Sequence, residues 1–347
     1  KQQQVFDLFE KFAEVKLKEE NKNLDDSSEV YFQQLLSSPL NWGYRNKVEY
    51  SFGPTQEAMI REEKIEGTEK TKKIWEHSGF GLGFKKRGQF WMVESLQKPS
   101  GLFDEDFEKK LHKIEAFCDA TQLPVYNART QVGFWRNLVV RKSFHQDQFL
   151  ICMGTSPFGK ELIKKKEEIQ TGFKDLLLEL YGDRIAGICW QESKSLGDSI
   201  RNFETRDCLY GEEKIVEKIN DLEFEISLDS FFQTNPKSAE KLYDLAIDYV
   251  RESIAGSSLL NNEEPLILDL FCGTGTIGQI IKSQIPKAKI IGVEIIPEAI
   301  EDAKENAKRN NIEGIEFFAD DVGKFLKVHP EYQGTIDTIV LDPPRAG

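Results

Sequence analysis

The segment from Leu266 to Gly278 constrains the fold of this chain more than any other stretch. It opens with the apolar run Leu266–Leu268, which predicts a short buried strand, and Asp269 follows where that strand should end. Three glycines then stand at the G-x-G-x-x-G spacing: Gly273, Gly275 and Gly278. Glycines at such a turn let the backbone of a helix N-terminus come close to a ligand. The glycine pattern alone fits either a ligand-binding turn or a purely structural one. The neighbouring predicted strands distinguish the two interpretations.

Three more strands are predicted downstream, and each one ends in an acidic residue. They cover Lys289–Glu294, Ile315–Asp321 and Ile336–Asp342, and a helix is predicted over Pro297–Asn310. Glu294 stands where an α/β nucleotide-binding fold places the carboxylate that binds ribose hydroxyls. Since parallel strands end at one edge of their sheet, these acids predict a single ligand crevice.

The acids also distinguish between two ligands that suit such a crevice. A dinucleotide brings a pyrophosphate, which nearby carboxylates repel, whereas S-adenosylmethionine has no phosphate and carries a positive sulfonium and a positive ammonium group. Opposite charges attract strongly in a cleft of low dielectric constant. The acids concerned are Asp269, Glu294, Asp320, Asp321 and Asp342. They favour the S-adenosylmethionine pocket of a methyltransferase, with the alternative that Asp320 and Asp321 only cap the following helix.

Two motifs connect the chain to a known family: Ser230–Asn235, with the sequence SFFQTN, and Asp342–Gly347, with the sequence DPPRAG. Further matching segments are Gly43–Gly53, Leu82–Arg87 and Phe134–Arg141. By these motifs the chain resembles the RNA uracil-5 methyltransferases, which form 5-methyluridine in tRNA and ribosomal RNA. The resemblance extends over nearly the whole chain and implies S-adenosylmethionine as the cofactor and RNA as the partner.

The resemblance implies an α/β fold with two main parts. Residues 229–347 are expected to form a Rossmann-like methyltransferase domain, with a parallel-rich sheet that is truncated at its C-terminal end. Residues 31–228 show mostly strand-like periodicity and are expected to form a central α+β RNA-binding domain. Residues 1–30 contain the apolar spacing of an amphipathic helix, and in the family such a helix packs on the catalytic domain.

The resemblance also carries roles over to single residues of the methyltransferase region. Gln233 is expected to contact the cofactor and the target base, and Asp342 to line the reaction site. Glu294 is expected to hold the ribose, and Asp321 to lie near the adenine. The residues expected to pack on the cofactor are Phe271, Gly273, Gly275 and Thr276. Thr276 stands where many relatives have Asn, which leaves that one contact open.

The chemistry implied by the family is covalent, because C5 of uracil is a poor nucleophile. A cysteine thiolate adds to C6, and C5 then attacks the sulfonium methyl group. A base later removes the C5 proton, which restores the C5–C6 double bond and releases the cysteine thiolate from C6. The target base has to leave its stack to be reached. The family places the nucleophilic cysteine beyond the position of Gly347, and the base further on. Cys272 lies in the cofactor turn and is not expected to replace it. This chain is therefore expected to bind the cofactor without turnover, and the full-length protein to be active.

Three clusters combine basic residues with aromatic neighbours and are candidates for RNA contact. They are Arg45 and Lys47 beside Tyr44; Lys85, Lys86 and Arg87 beside Phe84; and Arg136 and Arg141 after Phe134 and Trp135. A cation beside an aromatic ring suits phosphate contact together with base stacking. The alternative is a solvated strand face with core aromatics behind it. The Lys85–Arg87 triplet is the strongest candidate for phosphate contact.

Composition limits the location and the cofactors of the protein. The net charge is −13, so RNA binding has to rely on local basic patches. No apolar run approaches the roughly 18 residues of a membrane span, and no signal segment is visible, so a cytoplasmic protein without membrane contact is expected.

Five cysteines without a C-x-x-C pair argue against disulfides. Many relatives hold an iron–sulfur cluster, and one of its cysteines matches the segment Val93–Lys98. Since that segment has no cysteine, no iron–sulfur cluster is expected.

Three other functions share parts of this pattern. An amino-group methyltransferase would also use an Asp-Pro-Pro motif, but Arg345 and the SFFQTN segment disfavour it. A catalytically silent RNA-binding or folding factor would lack the cysteine after Gly347 and keep the basic clusters. An NAD-dependent oxidoreductase would bind nicotinamide instead of S-adenosylmethionine. The sequence leaves open which RNA and which uridine are modified, with a slight preference for the tRNA T-loop, and also the oligomeric state.

Overall fold

The structure, a computed structural model, describes residues 36–64, 71–197, 203–256 and 264–343. Contacts divide the chain into Lys1–Pro39 and Leu40–Gly347, and every helix and strand given below belongs to the second unit. The helix expected within residues 1–30 lies outside the described residues, as do residues 344–347 of the DPPRAG motif.

The strands and helices alternate in a pattern that changes near residue 230. The strands are β1 Lys47–Gly53, β2 Gln56–Lys64, β3 Thr71–Ser78, β4 Gly81–Lys86, β5 Gln89–Ser95, β6 Trp135–Ser143, β7 Gln148–Thr155, β8 Ile185–Glu192, β9 Thr205–Gly211, β10 Lys214–Ile219, β11 Leu222–Ser227, β12 Leu266–Leu270, β13 Lys289–Glu294, β14 Ile315–Ala319 and β15 Thr338–Leu341. The helices are α1 Glu105–Ala120, α2 Lys166–Tyr181, α3 Pro236–Gly256, α4 Thr276–Gln284, α5 Pro297–Arg309 and α6 Phe325–Val328. Strands dominate the first part, whereas strands and helices alternate in the second, as parallel sheets require.

The first part is built on a seven-stranded sheet with the order β5-β4-β1-β6-β7-β8-β9. All neighbours are antiparallel except β7 and β8. Helices α1 and α2 cover one face over a largely aromatic core that includes Tyr50, Phe107, Trp135, Phe173 and Trp190. Strands β2 and β3 form a separate antiparallel pair between β1 and β4.

Helix α1 begins where its sequence supplies an N-terminal cap. The side chain of Asp104 accepts a hydrogen bond of 2.9 Å from the backbone N–H of Phe107, and acidic residues fill the first turn. Both features stabilise the positive end of a helix. The buried face of α1, with Phe107, Leu111 and Ile114, then packs on the seven-stranded sheet.

The second part contains a four-stranded sheet with the order β14-β13-β12-β15, and all of its described neighbours are parallel. Strands β12 and β13 are apolar on both faces, as expected for a parallel sheet between helices. The α/β fold with a parallel-rich, Rossmann-like sheet that the sequence predicts is therefore confirmed.

One apolar core joins the two sheets. The second face of the seven-stranded sheet contributes Leu150 and Cys189, the β10–β11 hairpin contributes Phe224, and the second part contributes Tyr243 and Ile267. The predicted domain boundary between residues 228 and 229 thus runs beside a shared core, and it stays a prediction. Because this core is continuous, the position of one sheet constrains the loops of the other.

Candidate functional site

The turn between β12 and α4 holds three residues in the left-handed backbone region. Their φ angles are 60° at Phe271, 54° at Gly273 and 71° at Gly275. The turn is closed by the N–H of Gly275, which donates to the carbonyl of Cys272 at 2.8 Å. A left-handed conformation is unfavourable for a non-glycine residue such as Phe271 and costs about 1–3 kcal/mol. Such a cost persists where the surroundings enforce the conformation, which marks this turn as a functional candidate.

The first two glycines of the motif face different surroundings. A Cβ atom added to Gly275 would lie 2.6 Å from the Phe317 ring, so this glycine is required by packing. A Cβ atom added to Gly273 would meet no protein atom within 4 Å among the described residues. Gly273 is therefore the position at which a ligand can approach the backbone.

Asp269 lies at the end of β12 and is completely buried. Its Oδ2 accepts a hydrogen bond of 2.9 Å from the N–H of Gly278, whereas its Oδ1 has no partner within the described part of the chain. Burial raises the pKa of Asp269 to about 7, and the carboxylate of Asp342 contributes to this rise. This oxygen is enclosed by protein, and a positive charge brought to this strand end would stabilise the ionised form of the acid.

Glu294 connects the end of β13 to the glycine turn. Its Oε2 accepts a hydrogen bond of 3.2 Å from the N–H of Gly273. Its Oε1 accepts from the N–H groups of Ile295 at 2.8 Å and Ile296 at 3.1 Å, directly before α5. The carboxylate predicted to hold a ribose is thus brought to the glycine turn and fixed there.

The acids after β14 both make local hydrogen bonds. Oδ1 of Asp320 accepts from the N–H of Asp321 at 2.7 Å, and Oδ1 of Asp321 accepts from the N–H of Gly323 at 2.8 Å. Both contacts close the turn before α6, whose N-cap residue is Lys324 without a side-chain capping hydrogen bond, so the alternative that these acids cap this helix is wrong. They engage one oxygen of each acid, so a role of Asp321 near an adenine stays a prediction.

Gln233 lies in the segment Asp229–Asn235, before α3, and its side chain is hydrogen-bonded to the hydroxyl of Tyr243. Tyr243 is buried, and burial together with the carboxylates of Asp342 and Asp269 raises its pKa. Gln233 thus contacts a phenol whose pKa also responds to the charges of Asp269 and Asp342. The sequence analysis missed Tyr243; the available signal was a polar hydroxyl on the apolar face of α3.

Thr276 and Cys272 complete the turn without acting as charged groups. Thr276 is the first residue of α4, and its hydroxyl lies 3.3 Å from that of Thr274. Burial raises the pKa of the Cys272 thiol far above its ordinary value. Since the thiolate is the reactive form, this residue is a poor nucleophile.

Arg136 does not belong to an RNA-contacting surface, contrary to the prediction from its aromatic neighbours. Its side chain is buried, and the guanidinium donates to the carbonyls of Ser193 at 3.1 Å, Ser195 at 2.7 Å and Gly197 at 2.6 Å. It also lies over the ring of Tyr126, 4.0 Å from the centroid. The cation therefore fixes the loop Ser193–Gly197 from the inside of the protein.

Arg141 is a second correction to the predicted RNA surface. Only 2% of this residue is exposed, and its guanidinium donates to the carbonyls of Leu228, at 3.2 Å, and Ser230. Burial lowers its pKa to about 10. Both guanidinium groups are engaged with backbone carbonyls of the protein, so neither is offered to a phosphate at the surface.

The other two basic clusters remain at the surface to different degrees. Lys85, Lys86 and Arg87 are all exposed at the end of β4. Arg45 and Lys47 are half-buried, and the Nε of Arg45 donates to the carbonyl of Lys47 at 3.1 Å. The Lys85–Arg87 triplet is thus the most accessible of the predicted RNA contacts.

Two negative findings apply to residues 36–64, 71–197, 203–256 and 264–343. In these ranges no group of His, Cys, Asp and Glu side chains has the arrangement of a metal site. None of the helices in the same ranges combines the length and the apolar character of a membrane span.

The residues at the edge of the parallel sheet fit S-adenosylmethionine. The unpaired Oδ1 of buried Asp269 suits a positively charged group, and the open space beside Gly273 admits a close approach to the backbone. Glu294 lies at the neighbouring strand end, where it can accept hydrogen bonds from hydroxyl groups. A phosphate at this position would face at least two carboxylates.

Comparisons with known proteins agree with this site. A family profile described as a methyltransferase domain matches residues 262–344. A protein of Clostridium acetobutylicum named as an uncharacterized RNA methyltransferase is 35% identical, over 98% of this chain and 66% of its own length. One of the same name from Clostridium tetani is 32% identical, over 100% of this chain and 64% of its own length. The chain thus spans just under two thirds of these relatives.

A solved structure extends the likeness to most of the fold. The tRNA (uracil-54, C5)-methyltransferase of Pyrococcus abyssi, solved with S-adenosyl-L-homocysteine, matches with a TM-score of 0.60. The match covers 92% of this chain and 65% of that protein, at 21% sequence identity. At this identity the match establishes a shared fold.

The two glycines of the turn should respond differently to alanine. Gly275→Ala adds a Cβ atom 2.6 Å from the Phe317 ring in a left-handed residue, so it should destabilise the fold by about 2–4 kcal/mol. Gly273→Ala, the matched control, adds only the left-handed strain of about 1–2 kcal/mol. Urea denaturation followed by circular dichroism measures both. Equal losses would contradict the different packing of the two positions.

The buried carboxylate of Asp269 should make stability fall as pH rises. With a pKa of about 7 in the folded protein, Asp269 stays protonated there while the unfolded chain already ionises near pH 4. The wild type should therefore lose up to about 4 kcal/mol relative to Asp269→Asn between pH 4 and pH 8. Urea unfolding of both proteins at several pH values measures the difference. Parallel pH profiles would show that Asp269 ionises normally.

Proposed function

We propose that the protein is an RNA methyltransferase like the curated relatives it resembles, and that it transfers a methyl group from S-adenosylmethionine to C5 of a uridine in structured RNA. The observation that carries the proposal is the buried carboxylate of Asp269, which has one unpaired oxygen and lies beside the left-handed glycine turn. Gln233 and Asp342 are the two other groups that approach the same phenol of Tyr243. A site for a cationic donor and a site for the acceptor base thus adjoin each other.

The cofactor would be held by residues at three strand ends. Asp269 would offer its unpaired oxygen to a positive group, and Glu294 would accept hydrogen bonds from ribose hydroxyls. Gly273 and Phe271 would form the wall that packs on the ligand. The exposed side chain of Ile295 follows Glu294 directly and would give an apolar surface for the adenine ring. S-adenosylmethionine supplies the electrophilic methyl group when it is bound.

The acceptor side of the site would be formed by Gln233 and Asp342. The Gln233 amide has both donors and an acceptor, which match the carbonyl and N–H edge of a uracil ring. C5 of uracil needs activation by a nucleophile at C6, which we assign to a cysteine outside the chain. Cys272 does not serve this purpose, because burial keeps its thiol protonated. Asp342 is exposed at the end of β15, where it would line the path of the base.

The RNA would lie on the seven-stranded sheet beside the site. The Lys85–Arg87 triplet is exposed at the end of β4, and Phe90, which is also exposed, lies at the start of the neighbouring strand β5. Trp42 is exposed as well, and its ring lies against Gly101, where an added Cβ atom would be 2.7 Å from it. Cations beside open aromatic faces support phosphate contact together with base stacking. Residues 31–228 would then act as the RNA-binding part.

The full-length protein should methylate RNA at C5 of uridine and at no other kind of atom. We expect incubation with labelled S-adenosylmethionine and unmodified tRNA or ribosomal RNA to give 5-methyluridine, measured by nucleoside mass spectrometry. Asp269→Asn should bind the cofactor at least about tenfold more weakly, since a charged contact is lost. Methylation of an exocyclic amino group would identify the amino-group alternative. Tight RNA binding without any methyl transfer would identify a silent RNA-binding factor.

The Lys85–Arg87 triplet should contribute to RNA affinity through charge. Replacing all three residues by Glu should weaken RNA binding more than about tenfold and reduce the salt dependence of the binding constant. The matched control replaces the exposed residues Lys160, Lys164 and Lys165 by Glu, which changes the net charge equally. Fluorescence anisotropy at several salt concentrations measures both variants. Equal losses in the two variants would mean that only net charge matters.

A further inference from the structure

A buried arginine of the seven-stranded sheet holds the segment Asp229–Asn235, which carries Gln233. Arg141, in β6, donates from its guanidinium to the carbonyls of Leu228 and Ser230. The same segment is also tied by the Ser230 hydroxyl, which donates to Asp302 of α5 at 2.9 Å, and by Asp229, which pairs with Arg206 at 2.6 Å. The start of the segment is therefore held by two strands of the seven-stranded sheet and by helix α5.

A second contact holds the segment at Gln233 itself. The side chain of Asn46 donates to the carbonyl of Gln233 at 3.1 Å, and its backbone N–H donates to the carbonyl of Thr234 at 2.8 Å. The carbonyl of Asn46 in turn accepts from the N–H of Lys142 at 2.7 Å. Asn46 is 2% exposed. Asn46 directly precedes β1, and Lys47, the first residue of β1, is paired with Arg141 of β6, so the two holding residues lie at one end of two adjacent strands.

Burying the charge of Arg141 costs free energy, so stability alone does not explain this residue. No carboxylate among the described residues forms an ion pair with Arg141, and its Nε has no hydrogen-bond partner there. A buried charge of this kind is costly, and apolar residues of similar volume are often at least as stabilising. What an apolar residue could not supply is a pair of directed donors to two backbone carbonyls. The hydrogen bonds of Arg141 therefore indicate that the position of the Leu228–Ser230 backbone matters.

We propose that Arg141 and Asn46 are positioning residues, through which the seven-stranded sheet holds the Gln233 amide in register with Tyr243 and the cofactor edge. The inference rests on the proposed function, because it assumes that Gln233 contacts the target base. Arg141, which the sequence predicts as an RNA contact, thereby receives a positioning role inside the protein. Its consequence is that the sheet expected to bind RNA also sets the geometry of methyl transfer.

The test compares two buried arginines in the full-length protein. Arg141→Met should lower kcat for RNA methylation about 10- to 100-fold and change KM for S-adenosylmethionine less than about threefold, because alignment is lost while the cofactor edge is intact. Arg141→Lys keeps donors and should recover part of kcat. Arg136→Met, the matched control, removes an equally buried cation that fixes a different loop and should keep kcat within about threefold. Equal kcat values for Arg141→Met and Arg136→Met would overturn the proposal.

Hydrogen exchange gives a second readout that does not depend on activity. In Arg141→Met, the backbone amides of residues 229–235 should exchange at least about tenfold faster than in the wild type, while those of β6 and β7 keep their rates. Unchanged exchange in residues 229–235 would overturn the positioning role. A wild-type protein that does not methylate RNA would instead overturn the proposed function, and hydrogen exchange would then decide the positioning role alone.

Discussion

The buried carboxylate of Asp269 is the constraint on which the rest of this structure depends. One oxygen fixes the start of α4 through the N–H of Gly278, and the other is left without a partner among the described residues. An ionised acid in such a place is unfavourable, which is why its pKa rises to about 7. A positively charged ligand removes that penalty. The glycine turn, the strand ends and the neighbouring Asp342 are arranged around this one group.

The two sheets have different tasks but share one core. The parallel sheet brings Asp269, Glu294 and Asp342 to one edge by topology, since parallel strands end together. The seven-stranded sheet reaches the same edge through Arg141 and its neighbour Asn46, which hold the segment of Gln233. Buried cations that look like RNA contacts in the sequence thus belong to the internal framework. Of the predicted RNA contacts, the Lys85–Arg87 triplet at the end of β4 is the most accessible.

Much of the parallel sheet could be predicted because its signals are local. The strand Lys289–Glu294 has the predicted bounds, and the helix predicted over Pro297–Asn310 ends one residue earlier, at Arg309. Apolar runs, a proline in the first helical turn and left-handed glycines report on their own few residues. The burial of Arg136 and Arg141 could not be predicted in this way. A basic residue next to an aromatic one gives the same sequence pattern whether it is exposed or buried. Only the tertiary packing decides between the two positions.

The most direct test of the account is the proton balance of cofactor binding, measured by calorimetry near pH 7 in buffers of different ionisation enthalpy. If Asp269 faces the positive part of S-adenosylmethionine, binding lowers the pKa of this carboxyl group and releases a fraction of a proton, and Asp269→Asn releases none. Binding with no proton release in the wild type, or with the same release in Asp269→Asn, would contradict the central claim.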